Sequence, residues 1–265
     1  HRGEKNMFFK NKFMIVFVMS VLFVTSCSND MSNESSEENK DAEIYAEFVD
    51  SLESTDGLTY VEFMACTRGP DFNVENSTKM IADWQQLITA ESLFGVWGYV
   101  PAADTNAFGD ALWWELNWNS KQEADAEWNA WNQNVEAQAW AEEYSNVMVC
   151  DGEGRNSFDG VYPILPNTYG AVNESGYFYS EFYQCSYNDG SNRTNAEAFL
   201  PGFTNAVSNS DYNGTGYSYA NYFAYKNADG SHTDADVDFL WANFSNTKDS
   251  MDKAVQSFEK DVRDV

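Results

Sequence analysis

A chain of 265 residues with 42 Asp+Glu against 15 Lys+Arg, a formal net charge of −27, repels the phosphate backbone of nucleic acids and an anionic membrane surface. The same chain is 43% hydrophobic and 16% aromatic, far too apolar for a disordered acidic tail, so most of it is expected to fold.

The first residues read as a targeting segment. His1 to Asn6 precede the first methionine, Met7, and are taken as lying upstream of the natural start. Lys10 and Lys12 then lead into an apolar run from Phe13 to Val24, broken only by Ser20, with small residues before Cys27. That run is too short to span a bilayer. Its close, Val24-Thr25-Ser26-Cys27, resembles a bacterial lipoprotein signal, which implies lipidation of Cys27 and a place in the cell envelope. Ser28 resembles a cue for sorting to the outer membrane. An ordinary secretory signal with an incidental cysteine is the alternative. Residues 1–26 are assigned to upstream residues and signal. Residues 27–57 form an acidic tether, in which Ile44, Tyr45, Phe48, Val49 and Leu52 recur at helical spacing and predict one short docking helix.

Beyond the tether the chain repeats itself, and repeats constrain architecture before local propensity does. Glu62-Phe63 and Cys66 align without gaps on Glu181-Phe182 and Cys185, and Met80, Ile81, Trp84, Leu87 and Ile88 align on Phe199, Leu200, Phe203, Ala206 and Val207. The series Ala124, Trp128, Trp131, Val135 aligns on Met251, Val255, Phe258, Val262, with Ser120-Lys121 matching Thr247-Lys248 ahead of it. Between these helices, Gly95–Val100 and Ala111–Trp118 in the first copy, and Tyr217–Tyr225 and Val237–Phe244 in the second, read as strands. The run 146–150, closed by Asp151-Gly152, supplies a fourth strand to the first copy, giving the order βαββαβ of a ferredoxin-like unit. Residues 58–152 are the first repeat, 153–176 a Gly- and Pro-bearing linker, and 177–265 a second repeat whose fourth strand is expected beyond Val265. That strand would pair beside Ser180–Cys185, leaving an open edge here.

Residues 112–140, a strand ending in Asn117-Trp118 followed by Ser-Lys and a tryptophan-bearing helix, resemble the dimeric α+β barrel superfamily, which includes antibiotic-biosynthesis-monooxygenase-like domains. The resemblance implies an α+β fold in which two tandem ferredoxin-like repeats form a pseudo-dimeric barrel, with no second chain needed. Its cofactor-free oxygenase members hold aromatic substrates with Asn, Trp and Tyr, which points to Trp97, Tyr99, Asn117 and Trp118. Alternation complicates this, because Leu112, Trp114, Leu116 and Trp118 share one face and Trp113, Glu115 and Asn117 the other. The apolar set is expected to pack under the helices. Glu115 and Asn117, with Asn243 as the counterpart of Asn117, are expected between the sheets, satisfying one another by hydrogen bonds.

The supply of catalytic groups is poor. Past the signal the only histidine is His232, in a polar turn, so a histidine zinc site or a helix-borne haem ligand is not expected, and no metal or cofactor is assigned. The acidic turns 151–155 and 234–238 lack the spacing of a calcium loop. With Cys27 lipidated, Cys66, Cys150 and Cys185 remain; Cys66 and Cys150 either bridge or stay as separate buried thiols, since the ends of adjacent antiparallel strands fall at opposite edges of a sheet. Two functions remain open: an envelope-anchored, non-catalytic lipoprotein that binds a small hydrophobic ligand or is structural, and a cofactor-free oxygenase or isomerase acting on an aromatic small molecule.

Overall fold

Alternating side chains give each strand two faces, and here both are apolar, so the sheet must be covered on both. The computed structural model describes residues 12–19, 58–88, 92–101, 111–164, 177–210, 217–226 and 237–262. Cys27, the tether, and His232 lie outside the described residues. The elements are β1 (Lys12–Met19), β2 (Leu58–Arg68), α1 (Val74–Gln85), β3 (Leu93–Pro101), β4 (Leu112–Trp118), α2 (Lys121–Gln133), α3 (Val135–Glu143), β5 (Met148–Cys150), β6 (Asn156–Ile164), β7 (Tyr177–Cys185), α4 (Arg193–Ser208), β8 (Tyr217–Ala224), β9 (Phe239–Ser245) and α5 (Lys248–Ser257). The result is a mixed α+β fold with one curled, antiparallel, 9-stranded sheet in the order β4-β3-β1-β7-β9-β8-β6-β2-β5. A further pairing joins β2 to β4, so the ladder returns to β2.

Helix starts follow the polar residues seen in the sequence. Ser120 and Thr247 accept from the backbone N–H of Glu123 and Ser250, and Asn73 from that of Asn76, each satisfying a donor that the first helical turn leaves free. The single tryptophan-bearing helix expected after Ser120 is instead two. Asn134 closes α2 and, with its own side chain accepting from the N–H groups of Glu136 and Ala137, opens α3. An asparagine that bonds local backbone competes with the continuous helix, and here it wins.

Residues 156–164, placed in a linker by composition, form β6 between β2 and β8. The strand expected at 146–150 is thus only the first part of a longer edge. β5 covers the C-terminal end of β2 and β6 its N-terminal portion. Cys150 therefore lies within that edge rather than at its end, directly opposite Cys66, and the two sulfurs are bonded at 2.06 Å. Closing a sequence separation of 84 residues removes about 4–5 kcal/mol of unfolded-state entropy in the loop-closure account. Cys185 is a buried free thiol, pushed up to about 12 by desolvation.

The inner face of the sheet gathers Val61, Phe63, Trp97, Tyr99, Phe158, Phe182, Tyr222 and Phe244 into one aromatic core. The outer face carries two further cores, one under α1, α2 and α3 and one under α4 and α5. The β7 edge that the sequence reading reserved for a strand beyond Val265 is paired with β1, from Lys12↔Tyr183 to Val18↔Tyr177. β1 also pairs with β3, from Ile15↔Pro101 to Met19↔Trp97. A strand paired on both sides cannot be lost without exposing two edges. Removing residues 1–26 should therefore lower the thermal midpoint by about 5 °C or more, at the ~2–4 °C per kcal/mol typical of this size. Equal midpoints for the two chains would show that β1 contributes no stability.

Candidate functional site

Two polar constellations sit in aromatic surroundings, one on each face of β4. On the inner face, Glu115 is fully buried. Its carboxylate receives the hydroxyl of Tyr99, the Asn117 Nδ2 at 2.9 Å, and the hydroxyls of Tyr222 and Tyr162 at 3.2 and 3.3 Å. Tyr162 also donates to Asn117 Oδ1 at 2.9 Å. These groups come from β3, β4, β6 and β8. Desolvation pushes the carboxyl up to about 7 despite these donors, and burial beside Glu115 raises Tyr162 and Tyr222 well above the ordinary phenol range.

On the outer face, a cleft of about 610 Å³ opens between the sheet and the three helices of the first half. Trp114 and Trp118 of β4 form its floor, and Trp84 of α1, Trp128 and Trp131 of α2, and Trp140 of α3 its walls. The rings meet edge to face, Trp84 and Trp114 at 5.1 Å and 65°, Trp131 and Trp140 at 5.9 Å and 76°. Glu62, 2% exposed, anchors the wall to the floor. Its carboxylate accepts from Trp118 Nε1 at 3.1 Å, Trp128 Nε1 at 2.6 Å and Arg155 Nε at 3.0 Å. The Arg155 guanidinium lies over the Trp128 ring, 4.1 Å from its centroid. Trp140 Nε1 donates to the carbonyl of Met80 at 2.9 Å, tying α3 to α1. Asp151, Glu153 and Glu127 complete the rim.

The residues singled out from sequence are divided between these places. Trp97, Tyr99, Glu115 and Asn117 face inward, whereas Trp118 faces outward into the cleft, so no single pocket holds Trp97, Tyr99 and Trp118. Asn243, expected beside Glu115 and Asn117 between the sheets, does not join them. It pairs with Glu181 as Leu116 pairs with Glu62, which puts it on the outer face, accepting from Tyr217 OH and Trp241 Nε1. Its neighbour Phe244 is the one that faces inward, since a one-residue change of register reverses the face. Asp151 accepts the N–H of Gly154 within its turn, and Asp238 accepts that of Tyr187, 51 residues away in sequence. Sequence reasoning took the spacing of Trp128 and Trp131 only as helical periodicity, and it missed Glu62 with Arg155 because that pair lies 93 residues apart.

No protein-family model matches this chain, and no curated protein matches it in sequence.

The inner carboxyl makes a pH signature. Its folded-state pKa stands above its ordinary value of 4.5, so its contribution to stability is complete below pH 4.5 and is lost as pH rises through about 7. The loss is on the order of 3 kcal/mol. Glu115→Gln cannot ionise, so the fall in unfolding free energy between pH 5 and pH 8 should be smaller in that variant by a few kcal/mol, measured by urea denaturation. Parallel falls in the two proteins would place the pH dependence elsewhere.

Proposed function

We propose that this chain is an envelope-anchored binding protein that holds a small hydrophobic or aromatic molecule in the tryptophan cleft and performs no chemistry on it. The observation that carries the reading is the cleft itself, whose volume and tryptophan walls beside a set of polar side chains match the usual character of ligand sites.

Its scaffold is read as two ferredoxin-like halves of a pseudo-dimeric α+β barrel. Equivalent pairings support this: Glu62↔Leu116 and Phe63↔Glu115 in one half correspond to Glu181↔Asn243 and Phe182↔Ala242 in the other. Tyr99 and Tyr222 then occupy matching positions, opposite Trp113 and Leu240. Both donate to Glu115, whose own counterpart is the small Ala242. The halves differ where a ligand would lie. The positions of Trp118, Trp128 and Trp131 correspond to Ser245, Val255 and Phe258, and Phe203 packs at 4.8 Å against Trp241 in the second half. Only the first half is therefore assigned a ligand.

The catalytic alternative would use Glu115 as a base inside the aromatic core. Its oxygens already take four protein donors, which favours a structural role for that carboxyl.

Titration with the neutral probe N-phenyl-1-naphthylamine tests the cleft. Saturable binding that quenches tryptophan emission and weakens about tenfold or more in Trp131→Leu is expected, given the usual cost of deleting an aromatic anchor. Unsaturable binding, or binding unchanged by the substitution, would remove the reading.

Anchoring is tested separately, through Cys27. Among the described residues no helix is long and apolar enough to cross a membrane. Expressed in a bacterial host, the chain should incorporate labelled palmitate and sediment with membranes, and Cys27→Ser should do neither. Processing at Cys27 also withdraws β1, so an anchored chain must fill or close the place between β3 and β7 by other means.

A further inference from the structure

We infer that the tryptophan cleft selects a flat organic cation, an aromatic or quaternary ammonium, over neutral and anionic molecules of the same shape; this rests on the cleft being the binding site. The warrant is the combination of ring faces and charge. An indole presents a negative face, and six tryptophans, Trp84, Trp114, Trp118, Trp128, Trp131 and Trp140, line this one cleft. The protein already uses the same attraction at this site. Arg155 sits 4.1 Å from the centroid of Trp128, and Lys79 is 5.0 Å from the centroid of Tyr144, two rings that line the cleft.

The charges around the cleft point the same way. Among the described residues, Glu127, Asp151 and Glu153 line it, against Arg155 as the one lining cation. That cation is committed, since Arg155 is paired at 3.0 Å with the buried carboxylate of Glu62. Lys79, beside the wall, is likewise paired with Asp83 at 2.7 Å and Glu143 at 3.5 Å. An anion entering here would face three carboxylates and no unmatched positive charge. A neutral hydrophobe would gain the apolar contact alone. A cation gains the contact, the ring faces and the rim, within a chain whose net charge of −27 raises its local concentration.

Three probes of nearly one shape separate these contributions: 2-naphthyltrimethylammonium, its isostere 2-tert-butylnaphthalene, and 2-naphthoate. Calorimetry and tryptophan quenching should give the ammonium an affinity about tenfold or more above the neutral isostere, with naphthoate weakest. The preference for the ammonium over the isostere should shrink severalfold in the Glu127→Gln/Glu153→Gln double variant. Affinity for the ammonium should fall about tenfold or more in Trp131→Leu. Equal affinity for ammonium and isostere, or a preference for naphthoate, would overturn the selectivity and leave the cleft reading standing. Ammonium affinity unchanged in Trp131→Leu would mark it as general attraction to an acidic chain and would also overturn the inference. Failure of all three probes to bind would remove the inference and the cleft reading together.

Discussion

A carboxyl group placed where water cannot reach must be surrounded by donors, and that requirement at Glu115 governs the inside of this protein. Tyr99, Asn117, Tyr162 and Tyr222 meet it from four strands, Asn117 from the same strand and Tyr222 from 107 residues away. The hydroxyls reach one carboxylate only if the sheet curls enough to bring β6 and β8 opposite β3 and β4, so the curl and the polar cluster specify each other. An apolar residue at 115 would leave Tyr162, Tyr222 and Asn117 to satisfy one another, with no single point on which the strands converge. Phe63, Phe158 and Phe182 pack around the cluster and supply the low polarity that makes each bond in it matter.

The outer face depends on the same strand. Because β4 alternates, every residue that turns Glu115 and Asn117 inward also turns Trp114, Leu116 and Trp118 outward, under the helices. Glu62 does for the cleft what Glu115 does for the interior, with indole and guanidinium donors in place of phenols. The difference is exposure. Glu115 has no route to solvent, whereas Arg155, which pairs with Glu62, is 23% exposed at the rim of an open space. Deleting either carboxylate would strand buried donors, but the donors of Glu62, Trp118, Trp128 and Arg155, are the ones that line the cleft.

Much of this architecture was legible in the residues. Period-two alternation separated Trp114 from Glu115, the Ser-Lys and Thr-Lys steps marked helix starts, and the doubled Glu-Phe-x-x-Cys pattern located β2 and β7. Three things were not legible. The break at Asn134 depends on a side chain bonding two nearby amides, which competes with helix periodicity without altering it. The role of 156–164 as a strand was masked by the glycines and prolines around it, although Phe158, Gly160 and Tyr162 do alternate with more exposed residues. The face of Asn243 turned on a single residue of register, which a repeat alignment built from two different offsets leaves ambiguous.

The bond between Cys66 and Cys150 joins the outer cleft to its surroundings in a way the hydrogen bonds do not. Cys150 lines the cleft and is followed at once by the turn that carries Asp151, Glu153 and Arg155. Cys66 lies on the strand that carries Glu62, four residues away. The bond thus crosses from β2 to the start of the rim. Without it the rim would still be held to β2 by the three β5 register pairs, by the Asp151 N–H donated to the Ala65 carbonyl at 2.9 Å, by the pairing of β6 and by the Arg155 contact. The bond therefore acts on the unfolded chain more than on the cleft, whose rim keeps its register in reducing surroundings as well.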